Sequence, residues 1–139
     1  AKMRYDAPLY LTLQKTLYVE WGPPNVGGIL EPAAILATLV LCFLVHGRRP
    51  ALWFTIGALL ALVLAFPVVF FVLVQPANAA FREAALTSIP ANWTVYRSQW
   101  ELGHTIRFAL QLAAFVLLSV SVLLETPEGN ARGERKGVA

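Results

Sequence analysis

The chain has 139 residues, 58% of them hydrophobic and 14% charged, with a formal net charge of +3. Soluble domains carry roughly a quarter charged residues, so this composition argues against an ordinary soluble domain and for a membrane protein. The 11 Lys and Arg are dispersed, and the aromatics adjoin apolar runs rather than a basic groove, which argues against a nucleic-acid partner.

The chain opens "AKMRYDAPLY", without Met and without the charged start, apolar centre and cleavage site of a signal peptide. The expectation is that the start has been removed or lies upstream. Residues 8–21, "PLYLTLQKTLYVEW", place Tyr10, Leu13, Leu17 and Trp21 at three- and four-residue spacing. That spacing predicts an amphipathic interfacial helix. "GPPNVGG" (22–28) breaks it and, with no strand before it, reads as a turn rather than a phosphate loop.

Uncharged runs follow at 32–47, 50–81 and 108–124. A helix needs about 20 residues to cross the hydrocarbon. The expected spans are therefore about 28–47, 51–75 and 105–124, the first recruiting Glu31 and the third Arg107. Cys42, the single cysteine, lies in the first run as a small apolar residue and has no disulfide partner. Pro67 removes one backbone donor from the second span and predicts a kink. "HGRRP" (46–50) is a positive turn, with His46, Arg48 and Arg49 as interface anchors, and the tail carries Arg132, Arg135 and Lys136. The positive-inside rule puts both on the cytoplasmic side, with 125–139 as a flexible cytoplasmic tail, in a bacterial inner membrane. Segments 1–27 and 76–104 then lie outside and carry most of the Trp and Tyr, although Lys2, Arg4, Lys15, Arg82 and Arg97 fall there too. "FREAAL" (81–86) reads as a short helical piece. Asn92 is an expected N-cap for one helix from Trp93 to about Leu124, with Gly103 as its weak spot. Such a helix is about 48 Å long at ~1.5 Å per residue, so its first turns should stand clear of the hydrocarbon. "NWT" (92–94) fits a glycosylation triplet of low specificity.

The third helix carries the chemistry. Arg97, Glu101, His104 and Phe108 share one face, and Trp100, His104, Arg107 and Gln111 an overlapping one. Glu31 should lie at the depth of Arg107. A charge at bilayer depth costs roughly 2.5–3.5 kcal/mol on insertion scales, so these groups should face the bundle and pair. The expected pairs are Glu31 with Arg107, and Glu101 with Arg97 or His104. Either pair can be a staple between helices or part of a site. His104 can be a general base, a packing residue, or a metal ligand with Glu31 and Glu101. There is no His-x3-His or Cys pair, and His46 lies at the other membrane face, so no metal and no cofactor is expected.

Trp93, Arg97, Trp100, Glu101, His104 and Arg107, followed by "LAAF" (112–115), resemble the last-helix signature of the anthrone-oxygenase-like family of small four-helix integral membrane proteins. Glu31–Pro32, opening an apolar helix, is similar to that family too. The resemblance implies an all-α integral membrane protein, with three transmembrane helices here out of a four-helix bundle whose first helix is missing, plus the interfacial helix. Named members oxidise an anthrone to an anthraquinone with dioxygen, without a flavin or metal. On that analogy His104, Arg107, Glu31 and Glu101 are catalytic candidates, and Trp93, Arg97 and Trp100 bind a planar substrate. The resemblance thus suggests an oxygenase or binder of a small apolar or aromatic molecule. The competing expectation is an accessory subunit of a larger membrane complex. Its small residues Ala109, Ala113, Ala114, Ser119 and Ser121 would allow close packing against other subunits or a second copy. Membrane lipid is a partner in either case. A transporter is disfavoured by three spans without an internal repeat.

Overall fold

The computed structural model describes residues 2–19, 21–22 and 25–126. After a 3-10 turn at Lys2–Arg4, α1 spans Ala7–Thr16, α2 Val26–Leu44 and α3 Arg49–Val63. A π-helical stretch, Leu64–Val74, joins α3 to α4 (Gln75–Glu83), and α5 spans Trp93–Glu125. Among the described residues there is no β-strand. Among the same residues three helices are long and apolar enough to cross a membrane, namely Val26–Leu44, the continuous Arg49–Glu83 and Trp93–Glu125. The protein is an all-α integral membrane protein. Its α2 has 19 residues, close to one bilayer crossing, whereas Arg49–Glu83 has 35 and Trp93–Glu125 has 33. At ~1.5 Å per residue both exceed the roughly 30 Å hydrocarbon core.

The excess length is used at the α1 end. There Tyr10 and Leu11 of α1 pack on Ala77 and Phe81 of α4, on Phe70 and Val74 of the π stretch, and on Trp100 of α5. The middle of the bundle is held by small residues. Ala58 and Ala61 of α3 meet Ala114 of α5, which brings the backbones close without needing a hydrophobic drive that lipid does not supply. Nearby, the Thr55 and Ser121 hydroxyls both donate to the Ala51 carbonyl, at 2.8 and 3.1 Å. At the far end Arg48 pairs with Glu125. By contrast α2 buries only Thr38 and exposes Ile29, Leu30, Leu36, Val40, Phe43 and Leu44, a surface compatible with lipid contact.

Several local expectations are corrected. The helix in the first segment ends at Thr16, so Leu17 and Trp21 do not continue its face and are exposed. The buried face is Tyr10, Leu11 and Gln14, turned toward protein. Asp6 caps this helix by accepting from the Leu9 N–H at 3.0 Å. "FREAAL" is not a separate piece, because Phe81–Glu83 finish a helix continuous with the second span. Around Pro67, which has no N–H to give, the helix widens to π geometry without ending. Asn92 does precede α5, but its side chain makes no capping bond. Its backbone (φ −93°, ψ 19°) is not extended as a cap requires, and the Val95 N–H, which such a cap could bind, donates instead to the Asn92 backbone carbonyl at 2.9 Å. The tail from 127 onward, with Arg132, Arg135 and Lys136, lies outside the described residues.

Candidate functional site

The site begins with a charge that has to be neutralised. Arg107, on α5, is buried, and its guanidinium lies 5.2 Å from the Phe70 ring centroid on the π stretch. Glu31, early in α2, supplies the counter-charge as an Arg107–Glu31 ion pair linking the two helices. The pairing is incomplete, since Glu31 Oε2 and Arg107 Nε are both buried without a hydrogen-bond partner among the described residues.

One turn back along α5 lies His104. Its ring stacks on Trp100, with centroids 3.7 Å apart and planes inclined by 28°. Its Nδ1 is 2.9 Å from the Trp100 carbonyl. A carbonyl only accepts, so Nδ1 carries the proton, and Nε2 keeps the lone pair with which an imidazole acts as a base. Trp100 is fixed in turn, because its indole N–H donates to Asn78 Oδ1 at 2.9 Å. This assigns the Asn78 amide, leaving its NH2 as a donor. His104, Arg107, Glu31, Trp100 and Asn78 line a cavity of about 80 Å³, with Phe70 as an apolar wall. It adjoins a cavity of about 340 Å³ between α1 and α4 through their shared lining residues Tyr18, Gly22 and Asn78.

Two glycines make the close approaches around this site possible. A Cβ on Gly103 would lie 2.7 Å from Val74 Cγ2 and 3.1 Å from Leu73 Cβ, so α5 presses directly on the π stretch here. A Cβ on Gly27 would lie 2.2 Å from the Trp21 carbonyl oxygen, so only glycine lets that backbone cross the start of α2. Gly103 is thus a contact point rather than merely a weak link in its helix.

Glu101 stands apart from this group. Six residues at ~100° each put it about 240° around the helix from Arg107. It pairs with neither Arg97 nor His104. Its Oε1 accepts from the Tyr10 hydroxyl at 3.4 Å and lies 3.4 Å from Lys2 Nζ. Gln14 donates to the Tyr10 oxygen at 3.1 Å. Burial pushes the Tyr10 phenol well above its ordinary value, the Gln14 hydrogen bond works against this, and the Glu101 carboxylate adds to it. Lys2 Nζ also sits 4.0 Å from the Trp100 ring centroid and 4.3 Å from that of Tyr18. Arg97 donates to the Tyr5 carbonyl at 3.1 Å and lies 4.5 Å from the Trp93 ring centroid. Arg97 and Trp93 therefore hold the N-terminal segment against α5, and neither lines the cavity with His104. Among the described residues no three His, Cys, Asp or Glu side chains come together, so His104, Glu31 and Glu101 do not form a cluster.

The structure therefore divides the expected group in two. His104, Arg107, Glu31 and Trp100 share one cavity, while Glu101, Arg97 and Trp93 form a tie to the N-terminal segment. Asn78, Phe70, Tyr18 and Lys2 are the participants not singled out in the sequence. Asn78 lay inside the uncharged run 50–81, and its polarity was the one available signal. Comparison of the chain with known protein families, with curated proteins and with solved structures finds no match in any of the three.

Proposed function

We propose that the chain is an anthrone-oxygenase-like membrane protein, acting on a small aromatic molecule with an acidic ring-flanked C–H. The observation that carries this reading is His104. Its Nδ1–H is held by the Trp100 carbonyl, and its ring lies on the wall of a cavity shared with the Arg107–Glu31 pair. The 80 Å³ cavity is too small for a whole ligand, while the adjoining 340 Å³ falls at the low end of the usual range of roughly 300–1,000 Å³. The aromatic body therefore occupies the larger space, with its reactive edge directed toward His104.

In this reading His104 Nε2 takes the proton from a methylene that lies between two aromatic rings and opposite the ring ketone. The electron pair delocalises onto the ketone oxygen, and Arg107 stabilises that charge. Dioxygen accepts the electrons, bonds to the carbanion carbon and takes back the proton from His104 Nε2 on its outer oxygen. The hydroperoxide formed loses water to leave a second ketone, so each substrate consumes one dioxygen and releases one water. The residues required are a base, a buried cation and a dry wall, all of which line the smaller cavity. The positive "HGRRP" turn supports an orientation with the α1 end outside and the C-terminus cytoplasmic, in a bacterial inner membrane.

The test is oxygen uptake by the protein in lipid nanodiscs supplied with an anthrone, comparing wild type with His104→Gln. Loss of the general base should slow turnover by about 10²-fold or more. An unchanged rate would remove His104 from the reaction. A second reading, an accessory subunit, rests on α2, which buries only Thr38 and leaves its apolar sides open to a neighbouring helix. Native mass measurement after gentle solubilisation separates the two, since an accessory subunit emerges with its complex and a self-sufficient oxygenase emerges alone or with copies of itself.

A further inference from the structure

The larger cavity has a chemical character of its own, distinct from the apolar belt around it. Lys15 of α1 and Arg82 of α4 line one side, and Gln14, Gln75 and Asn78 contribute carboxamides. No carboxylate is among its described lining residues; Glu20, in the adjoining loop, lies outside the described residues. Lys15 Nζ donates one hydrogen bond to the Arg82 carbonyl at 2.8 Å, which leaves two of its N–H groups for a ligand. That bond also ties α1 to the end of α4. Asn78 is oriented by Trp100 so that its NH2 is the free donor, and it lines both cavities. Phe81 and Val19 provide apolar wall. Among the described lining residues the charged groups are thus both cationic, in a space that shares Tyr18, Gly22 and Asn78 with the cavity of His104.

We infer that the larger cavity binds the anionic group of its occupant, a carboxylate held by Lys15 and Arg82, and that the substrate is an aromatic acid rather than a neutral aromatic. The identification of the occupant as the substrate rests on the function proposed above. Lys15 and Arg82 act as binding and specificity residues. Two cations lining one cavity favour an acid over an uncharged analogue of the same shape. The membrane setting strengthens the need for them, because an aromatic acid partitions into the interface with its charge outward. The α1–α4 cavity sits at the end of the helices that extends past the span length, where such a charge would lie.

The experiment uses the full chain in phosphatidylcholine nanodiscs and measures binding of anthracene-2-carboxylate and of its methyl ester by quenching of tryptophan fluorescence. The acid should bind roughly tenfold more tightly than the ester. The double variant Lys15→Gln/Arg82→Gln should erase the preference, while Arg82→Lys, which keeps the charge, retains it. Equal affinity of acid and ester for the wild type, or a preference that survives the double variant, overturns the inference. If anthrone turnover persists alongside equal affinities, the anion site fails and the proposed reaction stands. If the acid preference is present and charge-dependent but His104→Gln leaves turnover unchanged, the reaction fails and the anion site stands. Added phosphatidylglycerol that displaces the acid would identify a lipid headgroup as the occupant and overturn the substrate assignment.

Discussion

Replacing Glu31 with Gln removes the counter-charge of a cation that has nowhere to go. The Arg107 side chain is only 10% exposed and that of Glu31 only 21%. Phe70 lies 5.2 Å from the guanidinium, and the Arg107 Nε has no partner among the described residues. Truncating one member of a buried pair typically costs about 3–5 kcal/mol, because the surviving charge stays desolvated. Glu31→Gln and Arg107→Gln should each lose stability of that order. The double variant Glu31→Gln/Arg107→Gln leaves two neutral amides able to bond each other and should recover much of the loss, giving a coupling of about 2–3 kcal/mol. The assay is unfolding in mild detergent by titration with a denaturing one, read by tryptophan fluorescence. Single variants within about 0.5 kcal/mol of wild type, or additive losses, would show that the two side chains do not share a buried pair. The cycle also separates structure from chemistry. A pair that only staples α2 to α5 has its stability coupling and no effect on the proposed anthrone oxidation beyond the fraction folded, whereas a pair that also serves the proposed site loses that activity in the folded double variant.

Gly103→Ala places a Cβ 2.7 Å from Val74 Cγ2 and 3.1 Å from Leu73 Cβ. The helix-propensity gain of about 1 kcal/mol should be outweighed by an overpacking cost of about 1–3 kcal/mol, so unfolding in detergent should show a net loss; a more stable variant would mean that α5 does not press on the π stretch. The Tyr10 phenol is raised above its ordinary 10.0, so the stability contributed by its neutral form is complete below that value and declines as pH rises toward the folded-state value. The stability difference between wild type and Tyr10→Phe should therefore be flat below pH 10 and fall above it, whereas a difference independent of pH through that window would place Tyr10 in water.

Much of the fold was legible because the bilayer is a strict solvent. Uncharged runs had to be helices, and Glu31 and Arg107, recruited into two of them, had to neutralise each other. The continuous α5 from Trp93 was readable for the same reason, since nothing within it could end a helix in that setting. The site was legible only in part. Spacing places Glu101, Arg97 and His104 on adjoining stripes of one helix, but it cannot say which neighbour each stripe will meet. Lys2, distant in sequence, turned out to be the partner of Glu101, and the Tyr5 carbonyl that of Arg97. The first segment departs from its spacing for a related reason. The Tyr10, Leu13, Leu17 and Trp21 spacing is helical, yet the helix stops at Thr16, and its buried side is chosen by α4 rather than by a membrane surface.

The lipid solvent, the three apolar spans of the described residues and the Glu31–Arg107 pair follow from the order of residues along the chain, because each reflects the cost of exposing polar groups to hydrocarbon. The position of the cavities and the side chains that line them come from packing between helices. Those depend on α4 continuing the second span, on Gly103 admitting Val74, and on Asn78 turning its oxygen to Trp100. Such contacts join residues tens of positions apart, and their geometry is set by packing, which no periodicity within a single helix encodes.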